Sequence, residues 1–324
     1  MRLSDILNNY SKKPQDDSEV VIQLAIDIIP CIRCIGNIAT ACNGIFVATL
    51  LSNDTMPLSE MLSQLINLPL TGYGTSNNKE KSAIALESSW VAGALLVDAG
   101  QIHESDQIFS AACLKICPSL CQILSSPSTK IDLKREVTFA LWNAISIPPG
   151  IKSDQYDEKF TKKVLYSIAI YDGIIPSLCK DLLHVPDTDA NLVALRLVSS
   201  MLRRLNDNVS MTPNFKRRFS EEGIVDKLEA ICDRASSIFH SSETAKRSVE
   251  EAANIAADLI DDFFSEDVFS DEENNALASL DTFTFEVPPT QVKNMTISEL
   301  TEGARSFGRG RGKTIPSWMK EGKT

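Results

Sequence analysis

The sequence predicts an all-α fold, and three observations predict it. Leu, Ile, Ala and Val carry the apolar load of a chain that is 43% hydrophobic while aromatics are sparse at 6%, a balance that suits closely stacked helices better than a β-sandwich interior. Apolar residues recur at helical spacing over segments that Gly, Pro and polar clusters separate. Four of those segments also share one grammar, whose closest copies place an amide late in an apolar helix: Pro30-Cys31-Ile32-Arg33-Cys34-Ile35-Gly36-Asn37-Ile38 and Arg135-Glu136-Val137-Thr138-Phe139-Ala140-Leu141-Trp142-Asn143-Ala144, while Leu86-Glu87-Ser88-Ser89-Trp90-Val91-Ala92-Gly93-Ala94 keeps the approach but ends in Ala94 and Val193-Ala194-Leu195-Arg196-Leu197-Val198-Ser199-Ser200-Met201 carries Ser200. Helices that present the same position in series make a ladder, and a ladder binds extended chains.

A polar lead over 1–18 with Lys12-Lys13-Pro14 precedes the array. A long helix follows from Val20 to about Ala41, with a bend expected at Pro30. Shorter helices are expected near Ile45 to Leu51 and from Pro57 to Leu68, Pro57 suiting a first helical turn. Thr71-Gly72-Tyr73-Gly74 and the polar residues after it read as a loop. The next set runs Glu80 to Ala99, Ser105 to Ala112, Leu114 to Leu124 and Asp132 to Ile147, stopped by Pro148-Pro149-Gly150. Then come Asp157 to Tyr171, Ile174 to Leu183 and Asp187 to Leu205, and finally Asn214 to Glu221, Gly223 to Cys232 and Glu243 to Phe264. The shared late position falls at 37, 94, 143 and 200, spacings of 57, 49 and 57; helical repeats of about 40 to 47 residues would place the excess in loops at 71–80 and 148–158. Beyond Asp267 the chain turns acidic and then Arg-Gly-rich, and the segment 268–324 reads as disordered.

Charge and chemistry narrow the function. With 32 basic and 43 acidic residues the net charge is −11, which disfavours a general nucleic-acid binder and favours a basic partner wherever the acids cluster. Eight cysteines in apolar helical contexts point to a reduced chain. Cys31 and Cys34 lack the second ligand pair of a zinc site and read as packed residues. Cys113, Cys117 and Cys121 repeat every four residues as one packed face. His103, His184 and His240 have no partners that complete a catalytic set. No enzyme, metal or cofactor is therefore expected. The apolar run Val20 to Ile29 contains Gln23 and Asp27, too short and too polar to span a bilayer.

From about Ile29 to Glu266 the chain resembles the C-terminal half of the importin-alpha (karyopherin-alpha) family. Ile32-Arg33-Cys34-Ile35-Gly36-Asn37-Ile38 is similar to the family's Leu-Arg-Ala-Val-Gly-Asn-Ile helix, and Arg135 to Ala144 to its Lys-Glu-Ala-Ala-Trp-x-x-x-Asn-Ala helix. Asp172-Gly173-Ile174-Ile175-Pro176-Ser177-Leu178-Cys179-Lys180-Asp181-Leu182-Leu183 resembles its Gly-Cys-Ile-Lys-Pro-Leu-Cys-Asp-Leu-Leu turn. Gly223 to Glu229 and Ala257 to Phe264 resemble its final repeat and closing helix.

The resemblance implies an armadillo-repeat, right-handed superhelical solenoid over 19–267, with about one partial and four complete repeats. It implies a non-enzymatic import adaptor, in nucleus and cytoplasm, that holds the basic nuclear-localisation signals of cargo in a concave groove. Residue by residue, Asn37 and Asn143 match backbone-clamping asparagines and Trp90 matches a slot tryptophan. Arg33 stands where the family has an arginine in place of tryptophan, Phe139 where it has tryptophan, and Glu87 and Glu136 match acidic selectors. The chemistry is coherent: an amide pairs with peptide backbone, an aromatic face takes the stem and charge of Lys or Arg, and a carboxylate selects the positive end. Ala94 and Ser200 depart from the expected Asn, and Phe offers a weaker face than Trp.

Further partners implied by the family are an importin-beta-like receptor and a recycling exportin, the latter meeting Asp261, Asp262 and Glu266. No Arg-rich receptor-binding segment and no first repeats are visible ahead of the array, so the chain is expected to be either truncated or a divergent paralogue. The flank of the first helix carrying Val20, Val21, Leu24 and Ile28 would then face water unless something covers it. Two other readings remain open, a generic armadillo scaffold without signal binding and an RNA-associated factor using Arg305, Arg309, Arg311 and Lys313 of the tail.

Overall fold

A computed structural model of the chain describes residues 18–41, 58–70, 78–99, 106–146, 158–206, 212–236 and 243–265. The fold class is all-α: among the described residues every element is a helix. In chain order these are α1 (Ser18–Ala41), α2 (Leu58–Ile66) with a 3-10 turn at Leu68–Leu70, α3 (Asn78–Ala99), α4 (Asp106–Ser125), α5 (Ile131–Ile145) and α6 (Glu158–Ala169). They continue with α7 (Ile174–Pro176, running on as a π-helical turn at Ser177–Leu182), α8 (Thr188–Asn206), α9 (Thr212–Glu221), α10 (Ile224–Ser236) and α11 (Glu243–Leu259, ending in a π-helical turn at Ile260–Phe264). The lead, the helix expected near Ile45 to Leu51, the loops at 71–77 and 147–157 and the segment 268–324 lie outside the described residues.

The long helices pack in chain order, α1 on α3, α3 on α5, α5 on α8 and α8 on α11. Behind them α2 packs on α4, α4 carries α6 and α7, and α10 backs α11. Side-chain bonds that tie one set to the next reach from 43 residues, Lys134 to Ser177, to 56 residues, Ser63 to Ser119. Recurrence of that reach is what a serial arrangement produces.

Sequence explains why α3 sits in the middle of its neighbours. Ser88, Ser89, Ala92, Gly93 and Ala94 are all buried, and small side chains let backbones approach closely. A Cβ at Gly93 would lie 3.3 Å from the Ala140 Cα of α5. On the other side, a Cβ at Gly36 of α1 would lie 2.0 Å from Cζ3 of Trp90. The tryptophan ring therefore lies directly on the α1 backbone, and only glycine leaves room for it.

Three expectations need correction. The two helices expected on either side of Cys113 are one, α4 over Asp106–Ser125, because Cys113 carries the apolar period across the anticipated break and Pro118 is tolerated within it. The flank of α1 with Val21, Leu24 and Ile28 is buried, and Ile22 and Ile26 are the exposed apolar residues. At 24 residues α1 is also long and apolar enough to cross a membrane by length and composition alone, with a mean hydropathy of 1.6 over its best window. Its buried Val21, Leu24, Ile28 and Ile32 nevertheless pack as a core face.

Cysteines separate by position. Cys113, Cys117 and Cys121 are buried in a row on α4, and burial pushes the Cys117 thiol up to about 12. Cys34, expected inside, is exposed. One half-buried polar knot joins α5 to the π-helical turn of α7: Lys134 Nζ donates to Asp181 Oδ2 at 2.5 Å and to Ser177 Oγ at 2.6 Å, and Ser177 Oγ donates to the same carboxylate at 2.7 Å. Partial burial pushes the Asp181 carboxyl up, but the hydrogen bonds from Lys134 and Ser177 outweigh it and hold the group below the usual carboxylate range.

Candidate functional site

Helical spacing sets which side chains the long helices offer to one another. Four residues before the shared late position stand Arg33, Trp90, Phe139 and Arg196, and seven before it stand Pro30, Glu87, Glu136 and Val193. Both offsets fall on the side of the helix that carries the late position.

Between α1 and α3 the acid is already paired. Arg33 Nη2 donates to Glu87 Oε1 at 2.5 Å, with the arginine side chain 61% exposed and the glutamate 6%. The second carboxylate oxygen of Glu87 is buried with no hydrogen-bond partner. Asn37 is exposed near the end of α1. Trp90 is half-buried, its ring against Gly36.

Between α3 and α5 the environment is drier. Glu136 is 2% exposed and its Oε1 has no partner. Burial pushes its carboxyl up to about 7, Arg135 opposes that rise and the Glu87 charge adds to it. Asn143 is buried, and its Nδ2 donates to the Gly93 carbonyl of α3 at 3.3 Å. The amide of α5 thus reaches back to the preceding long helix.

Further along, Phe139 is half-buried with its ring centroid 5.7 Å from that of Trp142. Three residues absent from the sequence-based site, Arg196, Trp142 and Glu251, stand out here. The Arg196 guanidinium carbon of α8 lies 5.1 Å from the centre of the Trp142 ring, and its Nη2 donates to Glu251 Oε1 of α11. Arg196 shares its offset with Arg33, so the fourth copy of the grammar already held the signal. Asp261 and Asp262 are exposed on the last turn of α11, where Asp262 pairs with Arg203 at 2.9 Å. Glu266 lies outside the described residues.

The structure therefore brings together Arg33, Glu87, Trp90 and Glu136 across α1, α3 and α5. Phe139 and Asn143 stand further along α5, and the aspartates at 261 and 262 stand apart on α11. Chemically the row offers half-buried aromatic faces beside carboxylates, a set suited to cationic side chains. Compared with protein-family models, curated proteins and solved structures, the chain matches none.

Proposed function

We propose that this protein is a nuclear-import adaptor of the importin-alpha type, a non-enzymatic armadillo solenoid that holds a short basic segment of cargo along its row of long helices. The observation that carries the reading is the serial packing of α1, α3, α5, α8 and α11, with aromatic, acidic and amide side chains recurring at fixed offsets. Trp90 and Phe139 supply faces for Lys or Arg stems, and Asn37 offers an exposed amide to peptide backbone; of the two acids, Glu87 is already paired with Arg33 and Glu136 is buried with its carboxyl raised to about 7, so neither presents a free charge unless the row opens. Such an adaptor shuttles between cytoplasm and nucleus, with an importin-beta-like receptor as a partner and the region of Asp261 and Asp262 as the candidate contact for a recycling exportin.

A fluorescently labelled lysine-rich signal peptide titrated against the purified chain tests the reading. Saturable binding that weakens with added salt is the expected result. An anisotropy that stays flat at low salt would count decisively against it.

A second reading has its own support. Arg33 neutralises Glu87 and Asn143 bonds Gly93, so part of the constellation already serves the array itself. A generic armadillo scaffold, with partners docking elsewhere, would use these residues in that way. The same titration separates the two.

A further inference from the structure

Arg196 has the surroundings of a bound ligand. The aromatic face beneath its guanidinium comes from Trp142 on α5, and the carboxylate beside it comes from Glu251 on α11, the two long helices that flank its own. A planar guanidinium with a ring on one face and a carboxylate at its edge has the stacking and the charge-assisted hydrogen bond that bind an arginine side chain. Arg33 makes the same step in the first part of the row, from its own offset to Glu87 on the next long helix. It does so with no aromatic ring under it among the described contacts. The site at Arg196 is therefore the more complete of the two.

We propose that Trp142 and Glu251 form a cation site that Arg196 occupies from within, so that Arg196 restricts which basic partners the row accepts and its removal opens the site to a partner's arginine. The contact sits at the surface, where exchange is feasible: the Arg196 side chain is 28% exposed and that of Glu251 is 44% exposed. The backbone beneath it is fixed without help from the guanidinium, because Ala194, Leu195, Leu197 and Val198 on either side are buried. Arginine has several rotatable bonds, so it can vacate the site without moving α8. This inference rests on the reading of the row as a binder of basic segments.

The test uses the full chain and a labelled arginine nonapeptide at low salt. Arg196→Ala is expected to bind the peptide about tenfold more tightly than the unsubstituted chain. Adding Glu251→Gln or Trp142→Ala to that variant should remove the gain. Arg196→Gln, which keeps the length of the side chain, repeats the measurement in case the alanine variant melts early. Binding by the unsubstituted chain with no gain in either Arg196 variant overturns the inference and leaves the groove reading standing. A gain that survives loss of both Trp142 and Glu251 overturns it too. Peptide binding that appears only once Arg196 is replaced supports the inference and removes the reading of the native row as an open groove.

Discussion

The step from α1 to α3 and the step from α3 to α5 use the same sequence grammar and end in different chemistry. In the first, an exposed arginine meets a buried glutamate and the late asparagine faces solvent. In the second, a tryptophan stands in place of the arginine, the glutamate lacks the ion pair that holds Glu87 and its carboxyl is raised by burial, and the late asparagine is bonded to the helix before it. The difference lies in the neighbours. Asn143 and Trp90 both reach back to the preceding long helix, whereas Arg33 reaches forward to the next, so the copies complete one another in both directions.

The largest expected effect comes from the drier step. The carboxyl of Glu136 is raised from the ordinary 4.5 to about 7 by burial, so the folded chain holds its proton more tightly than the unfolded chain does. Its contribution is present in full at low pH and is lost as pH rises from about 5 through 7. At about 1.4 kcal/mol per pKa unit the total is of order 3 kcal/mol. Urea unfolding at pH 5, 6, 7 and 8 should show that decline, and Glu136→Gln should flatten it while raising stability at pH 8. An unchanged slope in the variant would assign the pH dependence to other groups.

Next is the contact that joins the two steps. Gly36→Ala puts a methyl group into the Trp90 ring, and overpacking of that kind destabilises by about 1–3 kcal/mol. The melting temperature should fall and tryptophan emission should shift as the ring is displaced. A variant that melts like the parent with unshifted emission would mean that Trp90 is free to leave Gly36.

The smallest effect is the sharpest contrast. Asn143→Ala removes a buried hydrogen bond worth about 1 kcal/mol, whereas Asn37→Ala at an exposed site should change stability by less than about 0.5 kcal/mol. Equal losses in denaturant titrations would erase the distinction between the two asparagines.

Helices were legible in the sequence where strong punctuation flanks them: Gly100 follows α3, Pro148 and Pro149 follow α5, and Gly223 precedes the shorter α10. The join within α4 was masked by Pro118 and the mixed residues before it, although the apolar period runs on through Cys113 and no Gly or Pro stands at the anticipated break. At the candidate site, residue type and offset could be read along one helix. Burial of Glu87 and Glu136 could not, because it depends on how closely small residues such as Gly93 let the next helix approach. Arg196 went unrecognised for a related reason: its meaning comes from Trp142 and Glu251, which lie 54 and 55 residues away on other helices.

The row of thiols on α4 has a practical meaning. With Cys113, Cys117 and Cys121 sealed inside, the Cys117 proton held to about 12 and the Cys121 thiol pushed well up by burial, almost no thiolate is available at Cys117 and Cys121 at neutral pH. Alkylating reagents and peroxide would meet Cys34 on the surface long before they met that row, so modification of the inner three serves as a clock for the opening of the array.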